Sequence, residues 1–295
     1  MKNSIRECPG CSGVIADFVG EKNGFRIFRC SACGTLFTSH LPAAGGEEDY
    51  DAYYTPSNLT VPPFILTRIR EIFGGFERYR QLDRILDIGF GAGTMLQVGR
   101  ELGWETFGIE VSGPAVEQAR KEGFAVFHGD LLNAGYATDY FDVVTASEII
   151  EHLPDPAEAL REISRILRPG GLFWATSPSA RSLSYRAMGT HWTVISPPEH
   201  LQLYSAQAVK HLLLKSGFSK VSVNTSGLNP VEILHHFRSG SKTEPSSPSF
   251  DRVRSAYDIN EALTRSRFRT AIKGGANRVL RFLGLGDSLK IKAIK

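Results

Sequence analysis

An α/β fold with a mostly parallel sheet follows from three observations. Arg84-Ile-Leu-Asp-Ile-Gly-Phe-Gly-Ala-Gly-Thr94 is a short apolar run that breaks into glycines, after which helical spacing resumes from Met95 to Leu102. Apolar runs and helical stretches then alternate from residue 105 to 176, the order in which parallel strands lie under helices on both faces. With 295 residues, 42% of them hydrophobic, the chain can bury one large domain and carry a small appendage. Ligands of such folds lie across the carboxyl ends of the strands, and the glycine turn marks where a ligand approaches bare backbone.

The appendage comes first. All four cysteines fall in the first 33 residues, as Cys8-Pro-Gly-Cys11 and Cys30-Ser-Ala-Cys33 with eighteen residues between the pairs. Each pair can turn two thiolates onto one ion, so two pairs make a tetrahedral zinc site (Cys8, Cys11, Cys30, Cys33). Redox chemistry would need only one pair. Phe25-Arg-Ile-Phe-Arg alternates apolar and polar and predicts a strand entering the second knuckle. A ribbon over residues 1–40 is too small for its own core, so metal would supply much of its folding energy.

Residues 41–82 read as linker and packing helix. His40 to Pro63 is rich in Gly, Pro and acidic residues, with Tyr50, Tyr53 and Tyr54 suited to stapling the ribbon to the next domain. From Phe64 to Leu82, Phe64, Ile65, Ile69, Ile72, Phe73 and Phe76 recur at helical intervals, weakened at Gly74-Gly75. The main domain then runs over 83–295. It begins with a strand ending at Ile88, a helix at 94–102, a strand at 105–109 ending before Glu110, and a helix at 113–122. Strand 125–128 precedes Gly129-Asp130, and strand 141–146, helix 156–167 and strand 172–176 follow.

Two cofactor classes fit a glycine turn followed about twenty residues later by an acid. A nicotinamide site would want a third glycine where Thr94 stands. The pattern here is instead Asp87-x-Gly89-x-Gly91-x-Gly93. An acid before the turn suits a cationic aminoacyl group better than a pyrophosphate, which it would repel.

Leu-Asp-Ile-Gly-Phe-Gly-Ala-Gly, Gly-Ile-Glu110, Gly-Asp130, Phe-Asp-Val-Val and Leu-Arg-Pro-Gly-Gly together resemble the class I S-adenosylmethionine-dependent methyltransferases, over about residues 82–225. The resemblance implies a Rossmann-like sheet of seven strands whose last strand, near 289–294, is antiparallel and pairs near 220–225. It implies S-adenosylmethionine as cofactor, with backbone at Gly89, Gly91 and Gly93 beside it and Asp87 at its methionine end. Glu110 would accept from the ribose hydroxyls, and Asp130 from the adenine amino group with Leu131 beside the ring.

Ser147-Glu148-Ile-Ile-Glu151-His152-Leu-Pro154 reads as one or two helical turns stopped by Pro154, with Glu148, Glu151 and His152 on one face. Two carboxylates and an imidazole can hold a divalent cation such as Mg. The segment resembles the Glu-x-x-Glu-His of quinone O-methyltransferases and small-RNA 2′-O-methyltransferases, where a metal binds the accepting hydroxyls. In the RNA enzymes a further His completes the site, and His200 of Ser196-Pro-Pro-Glu-His200-Leu is the candidate for it. Without metal, Glu148 would line the cofactor pocket while His152 or His200 acts as general base.

Residues 177–204, carrying Arg181, Tyr185, Arg186, His191, Trp192, His200 and Tyr204, form a connector long enough for a lid. Trp192 fits lid core or stacking on substrate. A helix at 205–216 and a strand at 220–224 follow, then a helical insertion at about 229–285. It carries helices near 230–238 and 256–282 around a polar Ser/Pro run, Gly240–Ser249. From His235 to Lys295 thirteen Lys and Arg face five Asp and Glu, whereas the net charge of the whole is +3. Such a basic stretch suits an anionic substrate such as a nucleotide sugar, a membrane surface or nucleic acid, and equally a solvated face.

The reading is a methyltransferase with an N-terminal zinc ribbon, acting on a hydroxyl of a small molecule. A sugar or glycan intermediate comes first and a phenol next, since ribbon-bearing methyltransferases that act on sugars are the nearest resemblance. The alternatives are an RNA methyltransferase and a non-catalytic S-adenosylmethionine-binding scaffold. Against RNA, Lys22, Arg26 and Arg29 of the ribbon are offset by Asp17 and Glu21. No apolar run approaches the roughly 18 residues of a membrane helix, and the first residues lack a signal-peptide core, so a cytoplasmic protein is expected.

Overall fold

The computed structural model describes residues 5–42, 61, 63–239 and 267–295. The tyrosines at 50–54, the Ser/Pro run and the start of the last expected helix lie outside the described residues. The chain forms two compact units, one of Met1–Pro42, Ser177–Val209 and Val223–Lys290, the other of Ala43–Thr176, Lys210–Ser222 and Ile291–Lys295. In chain order the strands are β1 (Ala16–Lys22), β2 (Phe25–Cys30), β3 (Leu36–Thr38), β4 (Arg84–Ile88), β5 (Glu105–Glu110) and β6 (Ala125–His128). They continue with β7 (Phe141–Ser147), β8 (Leu167–Pro178), β9 (Gln202–Leu203), β10 (Lys220–Ser226) and β11 (Ser288–Ile294). The helices are α1 (Pro63–Gly74), α2 (Thr94–Glu101), α3 (Gly113–Lys121), α4 (Pro156–Ile166), α5 (Leu183–Met188), α6 (Ala206–Lys215), α7 (Pro230–Ser239) and α8 (Arg267–Leu283).

The second unit carries most of a seven-stranded sheet in the order β10-β11-β8-β7-β4-β5-β6, mostly parallel with β11 antiparallel, as expected. β4 is buried between β7 and β5, with Asp87 level with Thr145 on one side and Gly108 on the other. Because β4, β5 and β6 are parallel neighbours, their carboxyl ends line up: Glu110 is the last residue of β5, and Gly89 and Gly129 directly follow β4 and β6. α1 and the turn after it lay apolar residues on the sheet: Phe73 of α1 and Phe76 of the turn are buried and meet Trp104 and Trp174 edge-on, at centroid distances of 6.2 and 6.1 Å. The helix stops at Gly74, short of the expected Leu82, because the Gly74-Gly75 pair ends it rather than only weakening it.

Arg168-Pro-Gly-Gly was expected to precede its strand, but β8 starts earlier, at Leu167. A register shift against β7 between Phe141 and Val143 accommodates the difference. The buried Arg168 guanidinium donates to the Asp142 carboxylate and the Tyr79 carbonyl, and Asp142 also accepts from Gln81 N and Leu82 N. One buried ion pair thus ties the end of the packing segment to two strands of the sheet.

In the first unit β1, β2, β3 and β9 form a four-stranded sheet, so the ribbon gains a strand from residues 202–203. Its core joins Ile27 and Leu36 of the ribbon to Tyr185, Met188, Trp192, Val194, Ile195 and Leu203. Trp192 is core, which decides between its two readings. Polar clasps reinforce the junction. The Arg6 guanidinium donates to Thr38 O, Leu201 O and Gln202 Oε1, and Lys22 Nζ donates to Trp192 O at 3.0 Å. Burial pulls Arg6 down to about 10 and Lys22 to about 8.

Candidate active site and cysteine cluster

The glycine turn leaves β4 with Gly89, Gly91 and Gly93 at φ of +67°, +52° and +70°, a region that side chains disfavour. A Cβ on Gly89 would also stand 2.1 Å from Ile149 Cδ1. Gly91 N donates to Glu110 Oε2 at 3.0 Å, while Glu110 Oε1 accepts from Val111 N at 2.8 Å and Ser112 N at 3.1 Å. Three backbone donors therefore aim this buried carboxylate. Of about four acceptor directions, one remains on Oε2 for an incoming hydroxyl.

Asp87 is buried and accepts from Thr145 Oγ1 at 2.6 Å. Burial pushes its carboxyl up to about 7, the Thr145 bond opposes this, and the nearby Glu110 charge adds to it. Among the described residues no cationic side chain pairs with Asp87. A buried carboxylate poised in this way fits the cationic amino group of S-adenosylmethionine. Asp130 is exposed and caps the short turn Leu131–Asn133, accepting from Asn133 N at 3.0 Å and Asn133 Nδ2 at 2.7 Å, and Leu131 behind it is buried.

Two residues here went unnoticed in the sequence. Thr145 holds Asp87, and its signal was a hydroxyl between Val144 and Ala146 inside a buried strand. Ser112 is buried with no hydrogen-bond partner for Oγ among the described residues, two residues beyond Glu110.

The Glu148–His152 segment is not helical. Glu148 is exposed at φ +56° and donates its N–H to Thr176 O at 2.9 Å, and His152 N closes a single turn on Ile149 O at 3.0 Å. Glu151 is fully buried and His152 half-buried. The left-handed bend at Glu148, with α4 capped by Asp155, leaves too few residues for i→i−4 bonds, so the three side chains do not share a helix face. His200 belongs to the first unit, where its Nδ1 bonds the Val194 carbonyl and its N–H bonds Ser196 O at 3.2 Å.

The four cysteine sulfurs lie within 4.8 Å of one another, with Cys8 to Cys33 and Cys11 to Cys30 each at 3.5 Å. Two matching knuckles make this possible. Ser12 N bonds Cys8 O at 2.8 Å and Gly34 N bonds Cys30 O at 2.9 Å, with Ser12 at φ +59° and Gly34 at +76°. Tetrahedral zinc with bonds of about 2.3 Å wants sulfurs about 3.8 Å apart, so the cluster fits the ion. Hydrogen bonds from Cys8 and Thr35 hold the Cys33 thiol well below its usual range.

A profile of the methyltransferase domain matches residues 62–223. The ubiquinone biosynthesis O-methyltransferase of Nitrosomonas europaea is 26% identical over 184 residues, 58% of this chain and 77% of its own. The 27-O-demethylrifamycin SV methyltransferase of Amycolatopsis mediterranei is 31% identical over 144 residues, 46% of this chain and 53% of its own. The chain thus spans about half the length of that second relative. A crystal structure of an S-adenosylmethionine-dependent methyltransferase from Archaeoglobus fulgidus aligns with a TM-score of 0.54, covering 84% of this chain and 100% of that one at 19% identity, a likeness of fold.

Proposed function

The chain belongs to the methyltransferase-domain family, and on that premise we propose that it transfers the methyl of S-adenosylmethionine to a hydroxyl oxygen of a small molecule. The relatives, a ubiquinone-biosynthesis O-methyltransferase and a methyltransferase of demethylrifamycin, support oxygen as acceptor. A phenol or a sugar intermediate is the acceptor class.

The observation that carries the reading is the pair of buried acids on adjacent strand ends: Asp87, which no cationic side chain among the described residues pairs with, and Glu110, aimed by three backbone N–H groups. In this proposal Asp87 takes the cofactor's amino group and Glu110 a ribose hydroxyl. Asp130 and Leu131 take the adenine, and the turn at Gly89, Gly91 and Gly93 lets it approach. The cofactor, when bound, supplies an electrophilic methyl on a positively charged sulfur. The chain's own share is to align the acceptor oxygen and remove its proton. His152, half-buried after β7, is assigned as the base, with His200 the second candidate and Glu148 lining the pocket. We adopt the metal-free form at this site: Glu151 and His152 stand close enough to share an ion, but exposed, left-handed Glu148 does not join them, so the expected pair of carboxylates is not assembled. The cysteine cluster is assigned a structural zinc.

The test is calorimetric titration with S-adenosylmethionine, followed by labelled methyl transfer to phenols, nucleotide sugars and tRNA. Binding that Glu110→Ala abolishes, with label in phenols or sugars, supports the proposal. Equal affinity in the variant overturns the cofactor assignment, and label in tRNA alone overturns the acceptor class.

A further inference from the structure

α8 of the first unit is one-sided in charge along its sequence: Arg267, Arg269, Lys273, Arg278 and Arg281 with no acidic residue. Its inner side is anchored. Asn277 Oδ1 accepts from Gly227 N at 3.0 Å, the Leu280 carbonyl accepts from Thr225 Oγ1 at 3.1 Å, and both residues are half-buried. Its outer side is apolar. Val279, Phe282 and Leu283, at i, i+3 and i+4, are 57%, 88% and 55% exposed, with exposed Arg278 and Arg281 interleaved. In the sequence the same helical period runs back through Ile272 and Phe268. The same unit exposes a second ridge on α7, where Val231, Leu234 and Phe237 accompany Arg238.

We propose that α8 docks this protein on an anionic lipid surface, with Val279, Phe282 and Leu283 entering the headgroup–acyl boundary and Arg278 and Arg281 on lipid phosphates. An apolar ridge bordered by arginines is what an interfacial helix requires, since the rings lose water while the guanidinium groups reach the headgroups. Nucleic acid would engage the arginines and leave Phe282 in water. No described helix is long and apolar enough to cross a membrane, so contact through α8 is contact in the plane of the surface.

The experiment is co-sedimentation of the full chain with vesicles of phosphatidylcholine, with and without roughly one-third phosphatidylglycerol. Binding to the anionic vesicles is expected and falls as salt rises. Phe282→Glu weakens it by about tenfold or more, from loss of the buried ring. Arg278→Ser with Arg281→Ser weakens it by about 20-fold on anionic vesicles alone. Phe282 is outside the core, so Phe282→Glu retains the thermal unfolding and cofactor affinity of the parent, which separates docking from misfolding. Four results overturn the proposal: no preference for anionic over neutral vesicles, binding indifferent to Phe282→Glu, tRNA binding that outcompetes vesicles and survives that variant, or self-association that the variant abolishes.

Discussion

Asp87→Asn separates the energetic cost of the cofactor site from its use. The Asp87 carboxyl is raised from 3.8 to about 7 by burial. A carboxyl whose folded value exceeds its unfolded one makes the folded state bind the extra proton, so stability falls as pH rises between about 4 and 7 and is level above that. The accumulated cost at pH 8 is about 4 kcal/mol, at 1.36 kcal/mol per unit. Asn keeps the Thr145 hydrogen bond and, like the protonated acid, carries a buried donor. The variant and parent should therefore unfold together near pH 4 and diverge by about 5–10 °C at pH 8, with the variant the more stable. Affinity for S-adenosylmethionine runs the other way: only ionised Asp87 pairs with the amino group, so the parent binds about tenfold more weakly at pH 6 than at pH 8. In Asp87→Asn that dependence disappears and binding is weak throughout. Thermal unfolding and calorimetry at four pH values measure both. Parallel unfolding curves for parent and variant from pH 5 to 8 would refute the reasoning.

Three further outcomes are expected. Arg168→Met leaves the buried Asp142 carboxyl without its guanidinium partner, costing about 3–5 kcal/mol, and adding Asp142→Asn restores part of the loss in denaturant unfolding. His152→Ala lowers kcat by about 10²–10⁴ while the calorimetric affinity for the cofactor stays within twofold or so. Elemental analysis finds about one zinc per chain, and its chelation, or Cys30→Ser, shifts Trp192 emission to the red as the first-unit core opens.

What was legible in the sequence is what short-range chemistry decides. The glycine turn, the acid at each strand end and the knuckle spacing all act within a few residues, and the elements from β4 to α4 lie where periodicity put them. The failures come from long-range partners. Glu148 adopts a left-handed conformation where its N–H reaches Thr176 O on the neighbouring strand, a contact that no local pattern announces. Arg168 looked like part of a turn, yet its guanidinium meets Asp142, which lies 26 residues earlier in the sequence. β9 is two residues long, too short to be noticed, and exists because Leu203 pairs with Leu36.

That last pairing changes the meaning of the cysteine cluster. A metal knuckle at the start of a chain is easily read as a tethered accessory, but here its neighbours come from far along the sequence. Cys33 O accepts from Ser205 Oγ at 2.6 Å, Thr38 N donates to Leu201 O at 3.1 Å, and Leu36 pairs with Leu203. These contacts bracket His200 in the sequence, and the His200 ring is itself oriented by the Val194 carbonyl from the same core. An ion holding Cys8, Cys11, Cys30 and Cys33 would stabilise β2 and β3, and through β9 the backbone that carries His200. The ribbon then acts as the foundation of that segment. Its lack of a separate core is the physical reason, because a sheet that borrows its apolar partners from residues 180–203 also fixes their position.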